Sequence, residues 1–391
     1  MSTVIDEGAA PTGTSGSQAP ASLPRTWSLT WHGVRTVAEL ELRQRIRSTR
    51  WIVALVVWFV VVGAITGLVW LSTRNVMGAG STDSMEPVRS FQGPMVFGLV
   101  VFFVLFLGLL VAPTLSATSI NGDRSAGTLA ILQVTLLSPF EIVLGKLLAS
   151  WVAALAFLVV SVPFIGIAVG LGGTPVVAMF VCLGVLALLL AAVCAFGLGF
   201  SALTARTSGS AVLTYIAVAS LSALSPIVFG LTYLTTTHDE TVRVWTVPES
   251  GWNGNANAAP PCVWQEQVQS VSHTERTWWL LAINPFVIVA DAAPRPSSEA
   301  HQMVSADPLG SIRNGVRTLR AGPAHEVDQC WLQQSQSGDY VSPVTKPDVD
   351  TTAVWPWGLG ANLLLGAAGV WLAVRRLRIP QRTLARGTRV A

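Results

Sequence analysis

Six long apolar stretches dominate the pattern of hydrophobic and polar positions along the chain. Each approaches or exceeds the roughly 20 residues that a helix needs to cross a bilayer core, and charged residues are missing from five of them. The third contains Glu141 and Lys146. Both lie near its start, so we expect the long Lys146 side chain to reach back to the headgroups. The pattern predicts transmembrane helices at 51–72, 94–118, 141–170, 175–203, 210–235 and 355–374.

A seventh apolar segment, residues 278–292, is shorter and is interrupted by Asn284-Pro285. A break of this kind leaves backbone groups unpaired, which lipid does not tolerate unless protein or water satisfies them. We therefore predict a re-entrant or interfacial piece, and a true seventh span is the alternative.

Arginines cluster immediately before the first stretch and after the last. By the positive-inside rule both ends of the chain are expected in the cytoplasm, which requires an even number of spans. We predict a multi-pass protein of the plasma membrane with residues 119–140 on the inner side. The clustered arginines are Arg35, Arg43, Arg45, Arg47, Arg50, Arg375, Arg376, Arg378, Arg382, Arg386 and Arg389.

The segments outside the spans differ in composition. Residues 1–24 are rich in Ala, Pro, Ser, Gly and Thr, which predicts a disordered cytoplasmic tail. Apolar residues recur at helical spacing within 25–50, as expected for an amphipathic helix on the inner leaflet; a plain extension of the first span is the alternative. The remaining predicted segments are helices one to five within 51–235, a loop-rich extracellular segment at 236–354, the sixth helix within 355–377, and a basic cytoplasmic tail at 378–391.

Composition excludes several classes of protein. Hydrophobic residues make up 51% of the 391 residues and charged residues 12%, whereas soluble domains carry about 25% charged residues. This excludes a soluble enzyme, a secreted disulfide scaffold and a disordered chain, and the formal charge of +3 does not indicate nucleic-acid binding. Cys262 and Cys330 both fall in the predicted extracellular segment, where a disulfide can form; two free thiols are the alternative.

The spans also lack the residues that intramembrane chemistry needs. Their interiors contain no histidine, and the chain has no CxxC, HExxH or GxxxxGK[ST] motif. We therefore expect no catalytic, metal-binding or cofactor-binding site. Ion-coupled carriers usually keep an ionisable residue at mid-membrane, so any uphill transport is expected to draw its energy from a cytoplasmic connection.

The connection between the second and third stretches carries a distinct motif. Ser138 and Glu141, with Pro139 between them, have the spacing of a capping box with proline at the first helical position. The third helix is therefore expected to begin sharply at Ser138. The preceding residues 128–137 are mostly apolar but too short to span.

This connection resembles the first cytoplasmic loop of ABC-2 type permeases, the membrane subunits of ATP-driven exporters. The matching residues are Asp123-Arg124, Gly127-Thr128-Leu129, Ser138-Pro139, Glu141 and Gly145-Lys146. The resemblance implies an all-α, type V exporter-like fold with six spans, an N-terminal interfacial helix and an outer insertion before the last helix.

The resemblance also implies partners. Two ABC ATPase subunits would bind ATP and Mg²⁺, and a second permease copy or paralogue would complete the assembly within membrane lipid. Asp123, Arg124, Gly127, Thr128 and Leu129 would contact the ATPase, although a solvated helix cap is the alternative for the first two. The implied function is export of a lipidic or amphipathic compound. A secondary carrier or channel, and a membrane-bound enzyme working through its outer segment, are the other hypotheses.

Overall fold

The structure is a computed structural model that describes residues 27–78, 85–127, 137–247, 262–294, 307–330, 342–344 and 352–378. The described chain is mostly helical. Its helices are α1 (Trp31–Ile46), α2 (Thr49–Gly78), α3 (Met85–Ser116), α4 (Ser119–Ser125), α5 (Pro139–Gly170), α6 (Val176–Leu203), α7 (Thr207–Ala219), α8 (Ser225–Thr235), α9 (Trp279–Ala282), α10 (Pro285–Ala292), α11 (Pro308–Ala321) and α12 (Trp355–Leu377).

In the part of the chain that the structure describes, six helical segments are long and apolar enough to cross a membrane, which confirms the predicted number of spans. Their many exposed aliphatic side chains, such as Leu68 at 65% and Leu364 at 73%, are those expected to face lipid. The segments are Thr49–Asn75, Gln92–Ser125, Pro139–Gly170, Val176–Leu203, Thr207–Thr235 and Trp355–Leu377.

Helix α6 lies at the centre of the bundle and contacts α3, α5, α7 and α12. Its closest neighbour is α12, where Gly199 meets Gly369. A Cβ atom added to Gly369 would lie 2.7 Å from the Cα atom of Phe196. The two helices therefore pack backbone against backbone, as small residues allow in membrane bundles.

The fifth span is interrupted by a π-helical segment at Ser220–Leu224, between α7 and α8. Pro226 follows it and has no N–H to offer the carbonyl of Ser222. The side-chain amide of Asn284 donates to that carbonyl at 2.8 Å and to the Ser225 hydroxyl at 3.1 Å. The proline and the break in the short apolar segment are thus packed together.

Residues 278–292 form two short helices, α9 and α10, rather than one spanning helix. Asn284 caps α10 by accepting a hydrogen bond from the Phe286 amide at 2.9 Å. Asn362 of α12 donates to the carbonyl of Ile283 at 3.0 Å. Side chains of the protein therefore form hydrogen bonds with the backbone groups that the break leaves unpaired, as a break in an apolar segment requires.

The segment expected to be loop-rich contains regular structure. Strands β1 (Thr237–Thr246) and β2 (Val263–Ser272) pair antiparallel, and β3 (Glu326–Asp328) pairs parallel to β1, in the order β2-β1-β3. Strand β1 buries Val242 and Val244, and α11 is amphipathic. Alternating valines in a segment full of threonine and glutamine are a weak signal, which explains why the strands were not predicted.

Candidate functional site

Helices α1 and α4 and the first turns of α5 meet at one end of the bundle, which we call the basal face. The sheet lies toward the opposite end, where β1 begins two residues after the end of α8 at Thr235. The basal face contains the motif residues singled out in the sequence, and it is the candidate functional site.

Glu141 caps two helices at the basal face. Within α5 it forms the capping box with Ser138: the Glu141 amide donates to the Ser138 hydroxyl, and the Ser138 amide donates to the Glu141 carboxylate at 2.8 Å. Its other carboxylate oxygen accepts hydrogen bonds from the amide and the hydroxyl of Thr30, both at 2.6 Å. Thr30 is itself the N-cap of α1, so one carboxylate fixes the start of α5 against the start of α1.

Gly145 lets α1 and α5 cross closely. A Cβ atom at this position would lie 2.6 Å from the Cβ atom of Val37 and 3.0 Å from the carbonyl oxygen of Val34. Val34 and Val37 are buried in this crossing. The amphipathic helix predicted within 25–50 is therefore packed onto the third span through its amino-terminal half.

Lys146 is buried in an ion cluster, so the expectation that its side chain reaches back to the headgroups is wrong. Its ammonium group contacts the carboxylates of Glu41 in α1 and Asp123 in α4. The Lys146 side chain is 0% exposed, while those of Glu41 and Asp123 are 16% and 27% exposed. Because a buried ammonium without partners is very costly, two carboxylates supplied from separate helices hold it in place. We call Glu41, Asp123 and Lys146 the basal triad.

Helix α4 is also held by a network centred on Asn121. The hydroxyl of Ser201 in α6 accepts hydrogen bonds from the amides of Ile120 and Asn121 at 3.0 and 3.2 Å. The side-chain amide of Asn121 donates to the Ser210 hydroxyl of α7 at 2.8 Å and to the Arg206 carbonyl at 3.2 Å. The short helix is thus joined to the connection between α6 and α7 as well as to α1 and α5.

The five residues that the sequence predicts to contact an ATPase, from Asp123 to Leu129, separate into two groups. Asp123 points into the basal triad, whereas Arg124 and Gly127 are exposed at the end of α4. Gly127 has φ +73°, a conformation that favours glycine. Thr128 and Leu129 lie outside the described residues.

Sequence reasoning missed the roles of Glu41, Asn121 and Ser201. Glu41 lies within the segment predicted as an amphipathic helix, and nothing near it in the sequence indicates its partner Lys146. A lone asparagine directly after an apolar span was the available signal for Asn121, since a buried amide must find hydrogen-bond partners.

Toward the sheet, Asp291 completes the start of the last span. Its carboxylate accepts hydrogen bonds from the amides of Val354 and Trp355 at 2.6 and 2.8 Å, and from the Arg317 guanidinium at 2.6 Å. The side chain of Asp291 is 0% exposed. Both ends of the bundle therefore contain a buried charge that is fully paired.

The sheet region contains the disulfide and a histidine between two carboxylates. Cys262 and Cys330 are joined, with Cα atoms 6.1 Å apart. The imidazole of His273 lies 2.8 Å from Glu275 and 3.0 Å from Glu240. Hydrogen bonds to Glu275 and then Glu240 raise the pKa of His273 above its ordinary value. Within the described ranges no group of His, Cys, Asp and Glu side chains is arranged to hold a metal ion.

Comparison with known families gives the class of protein. The family model described as ABC-2 family transporter protein matches residues 35–299. This is more than half of the chain, and the chain therefore belongs to the ABC-2 transporter family. No curated protein matches it. With six spans and this membership, the chain is a membrane transport permease subunit.

Proposed function

We propose that this permease subunit belongs to an ATP-driven exporter of the plasma membrane, in which separate ATPase subunits supply the energy. The observation that carries the proposal is the basal triad. Lys146 ties α4, the short helix that precedes residues 128–137, to both α1 and α5. A force applied to α4 from the basal side would be passed directly to the third span.

The Asn121 network extends this connection. Because Asn121 joins α4 to Arg206 and Ser210, movement of α4 would also be passed to the fourth and fifth spans. Packed helices move as rigid bodies between discrete arrangements. We propose that ATP-dependent closure of two ATPase subunits displaces α4 and tilts these spans in a pair of permeases, formed by a second copy or a paralogue.

The contact with the ATPase is proposed for Arg124, Gly127, Thr128 and Leu129. Arg124 and Gly127 are exposed on the basal face, which supports this role for them. Asp123 is a positioning residue in the proposal, because its carboxylate contacts Lys146.

The proposed cargo is a lipidic or amphipathic compound. An apolar groove of about 360 Å³ opens between α6, the π-helical segment and α12. Its walls include Phe196, Phe200, Leu221 and Leu372. Such a surface favours hydrocarbon over a hydrated polar solute, which supports this cargo class.

Co-purification and ATP hydrolysis test the ATP-driven mechanism. The affinity-tagged chain should co-purify with an ABC ATPase, and the complex in proteoliposomes should hydrolyse ATP. Gly127→Val forces a β-branched residue into a conformation it rarely adopts, and should abolish co-purification while leaving membrane insertion intact. Gly122→Ala is the matched control, because a Cβ atom there meets nothing within 4 Å.

Two results would contradict the proposal. Undiminished co-purification of the Gly127→Val variant would show that the chain around Gly127 does not contact the ATPase. Transport that runs on an ion gradient without an ATPase would instead establish a secondary carrier. The predicted spans argue against that alternative, because their only charged residues, Glu141 and Lys146, lie near the start of the third span, whereas ion-coupled carriers usually keep an ionisable residue at mid-membrane.

Cysteine labelling tests the proposed cytoplasmic location of the basal face. Gln44 in α1 and Val268 in β2 are both exposed. In intact cells a membrane-impermeant maleimide should label Val268→Cys and not Gln44→Cys. Native Cys182 and Cys194 are buried, and Cys262 and Cys330 are joined, so background labelling should be low. Labelling of both positions from outside would overturn the orientation.

A further inference from the structure

A groove of about 480 Å³ lies between the end of α1 and helices α2, α3 and α5. It is separate from the basal triad and from the apolar groove proposed for cargo. Its volume falls within the range of about 300–1,000 Å³ typical of small-molecule sites. The lining residues that matter are Arg45, Arg50, Trp51, Val57, Trp58 and Val111.

The inner part of the groove is apolar. The ring of Phe157 packs edge to face against Trp51 and against Trp58, with centroid distances of 5.1 and 5.0 Å respectively. The indole N–H of Trp58 donates to the Ser161 hydroxyl at 2.9 Å, so this ring offers the groove only carbon atoms. A hydrocarbon chain is the ligand that such walls favour.

The mouth of the groove is cationic. Arg45, Ser48 and Arg50 line it. The Arg45 guanidinium donates to the Leu115 carbonyl at 2.8 Å, and burial lowers the pKa of Arg45 although nearby Glu41 opposes this.

One carbonyl engages only part of the guanidinium fork, which has five N–H donors. Across the described part of the chain, no carboxylate lies within ion-pair distance of Arg45 or Arg50. Glu41 is the carboxylate that acts electrostatically on Arg45, but it forms its ion pair with Lys146. The mouth therefore has two positive charges next to an apolar chamber.

We propose that this groove is a binding site for an anionic phospholipid of the surrounding membrane. Its phosphate would lie between Arg45 and Arg50, where guanidinium forks bind phosphate oxygens in pairs. One acyl chain would run along Trp51, Val57 and Trp58. Basic pockets between membrane helices bind anionic headgroups in this way, and the ligand would fix the end of α1 against the first two spans.

Native mass spectrometry of the full-length chain in detergent tests the proposal. Phosphatidylglycerol and phosphatidylcholine with identical acyl chains are the two probes. We expect phosphatidylglycerol to bind more tightly by at least about fivefold for each arginine, since one basic residue near an anionic headgroup contributes roughly that factor. Equal binding of the two lipids would overturn the proposal, because a groove that only fills with hydrocarbon shows no headgroup preference.

Matched variants assign the preference to the mouth of the groove. Arg50→Gln alone should reduce it about fivefold, and Arg50→Gln combined with Arg45→Gln should remove it. Arg43→Gln combined with Arg47→Gln removes the same charge from the exposed side of the same region and should leave it unchanged. Equal loss in both pairs would mean non-specific attraction and refute the site.

The remaining controls separate the headgroup from the acyl chain. Val57→Trp should reduce binding of both lipids severalfold, because it fills the apolar chamber. Inorganic phosphate at millimolar concentration should not displace phosphatidylglycerol; full displacement would mean that the mouth binds free phosphate, and the lipid assignment would fail.

Discussion

Replacing Lys146 with methionine tests how strongly the basal triad holds the bundle together. The substitution keeps the length of the side chain and leaves the Glu41 and Asp123 carboxylates facing each other without the ammonium group. Removing one partner of a buried ion pair costs about 3–5 kcal/mol. Because these carboxylates are 16% and 27% exposed, we expect a smaller loss of about 2–3 kcal/mol.

A thiol-reactive fluorogenic maleimide provides the assay. Cys182 and Cys194 are both 0% exposed, so they react only when the bundle opens, and the disulfide-bonded cysteines do not contribute. An unfolding entropy of about 2.1 cal/mol/K per residue over 391 residues gives a shift of about 1.2 °C per kcal/mol. The Lys146→Met variant should therefore melt about 2–4 °C below the parent.

Two further variants make the interpretation specific. Adding Glu41→Gln and Asp123→Asn to Lys146→Met should restore most of the lost stability, because neutral replacement of a whole buried ion cluster is often tolerated. Arg43→Met breaks the exposed pair with Glu39, whose side chains are 70% and 46% exposed, and should cost at most about 0.5 kcal/mol. An unchanged melting temperature for Lys146→Met, or a triple variant as unstable as the single one, would refute the reasoning.

Three other perturbations are expected to act through packing, cross-linking and protonation. Gly369→Leu should destabilise the bundle by about 1–3 kcal/mol through overpacking, whereas Gly360→Leu, where a Cβ atom meets nothing within 4 Å, should be nearly neutral in the same melt. Cys262→Ser with Cys330→Ser should lower stability by about 2–4 kcal/mol and make the protein insensitive to reductant, and a variant still sensitive to reductant would contradict the assignment. The contribution of His273 to the stability of the sheet should be complete below its unfolded pKa and be lost as pH rises through its raised folded pKa. Hydrogen exchange of the strand amides should therefore speed up with pH by more than the intrinsic exchange rate does. The His273→Gln variant should show only the intrinsic increase.

The membrane architecture was predictable because its signal is long and physically simple. A helix must cross about 30 Å of hydrocarbon, so the starts of α5 and α12 were located to within a few residues. The capping box at Ser138 and the break at Asn284 were also readable, because both depend on residues that are close in sequence.

The basal triad was not predictable from the sequence. Glu41 and Lys146 are 105 residues apart, and nothing local shows that α1 crosses α5 at Gly145. We expected the ammonium group of Lys146 at the headgroups because an isolated lysine inside a bundle is costly. Its two carboxylate partners remove that cost, and they are brought together only by the packing of three helices.

The bond between Asp291 and the start of α12 has a consequence for biosynthesis. The first amides of the final helix are capped by a carboxylate that precedes them by 63 residues, and Arg317 neutralises the same carboxylate from α11. We therefore expect the last helix to seat fully in the bilayer only after Asp291 and α11 have reached their native positions. A nascent chain truncated just after α12 should remain loosely inserted when Asp291→Ala removes this cap.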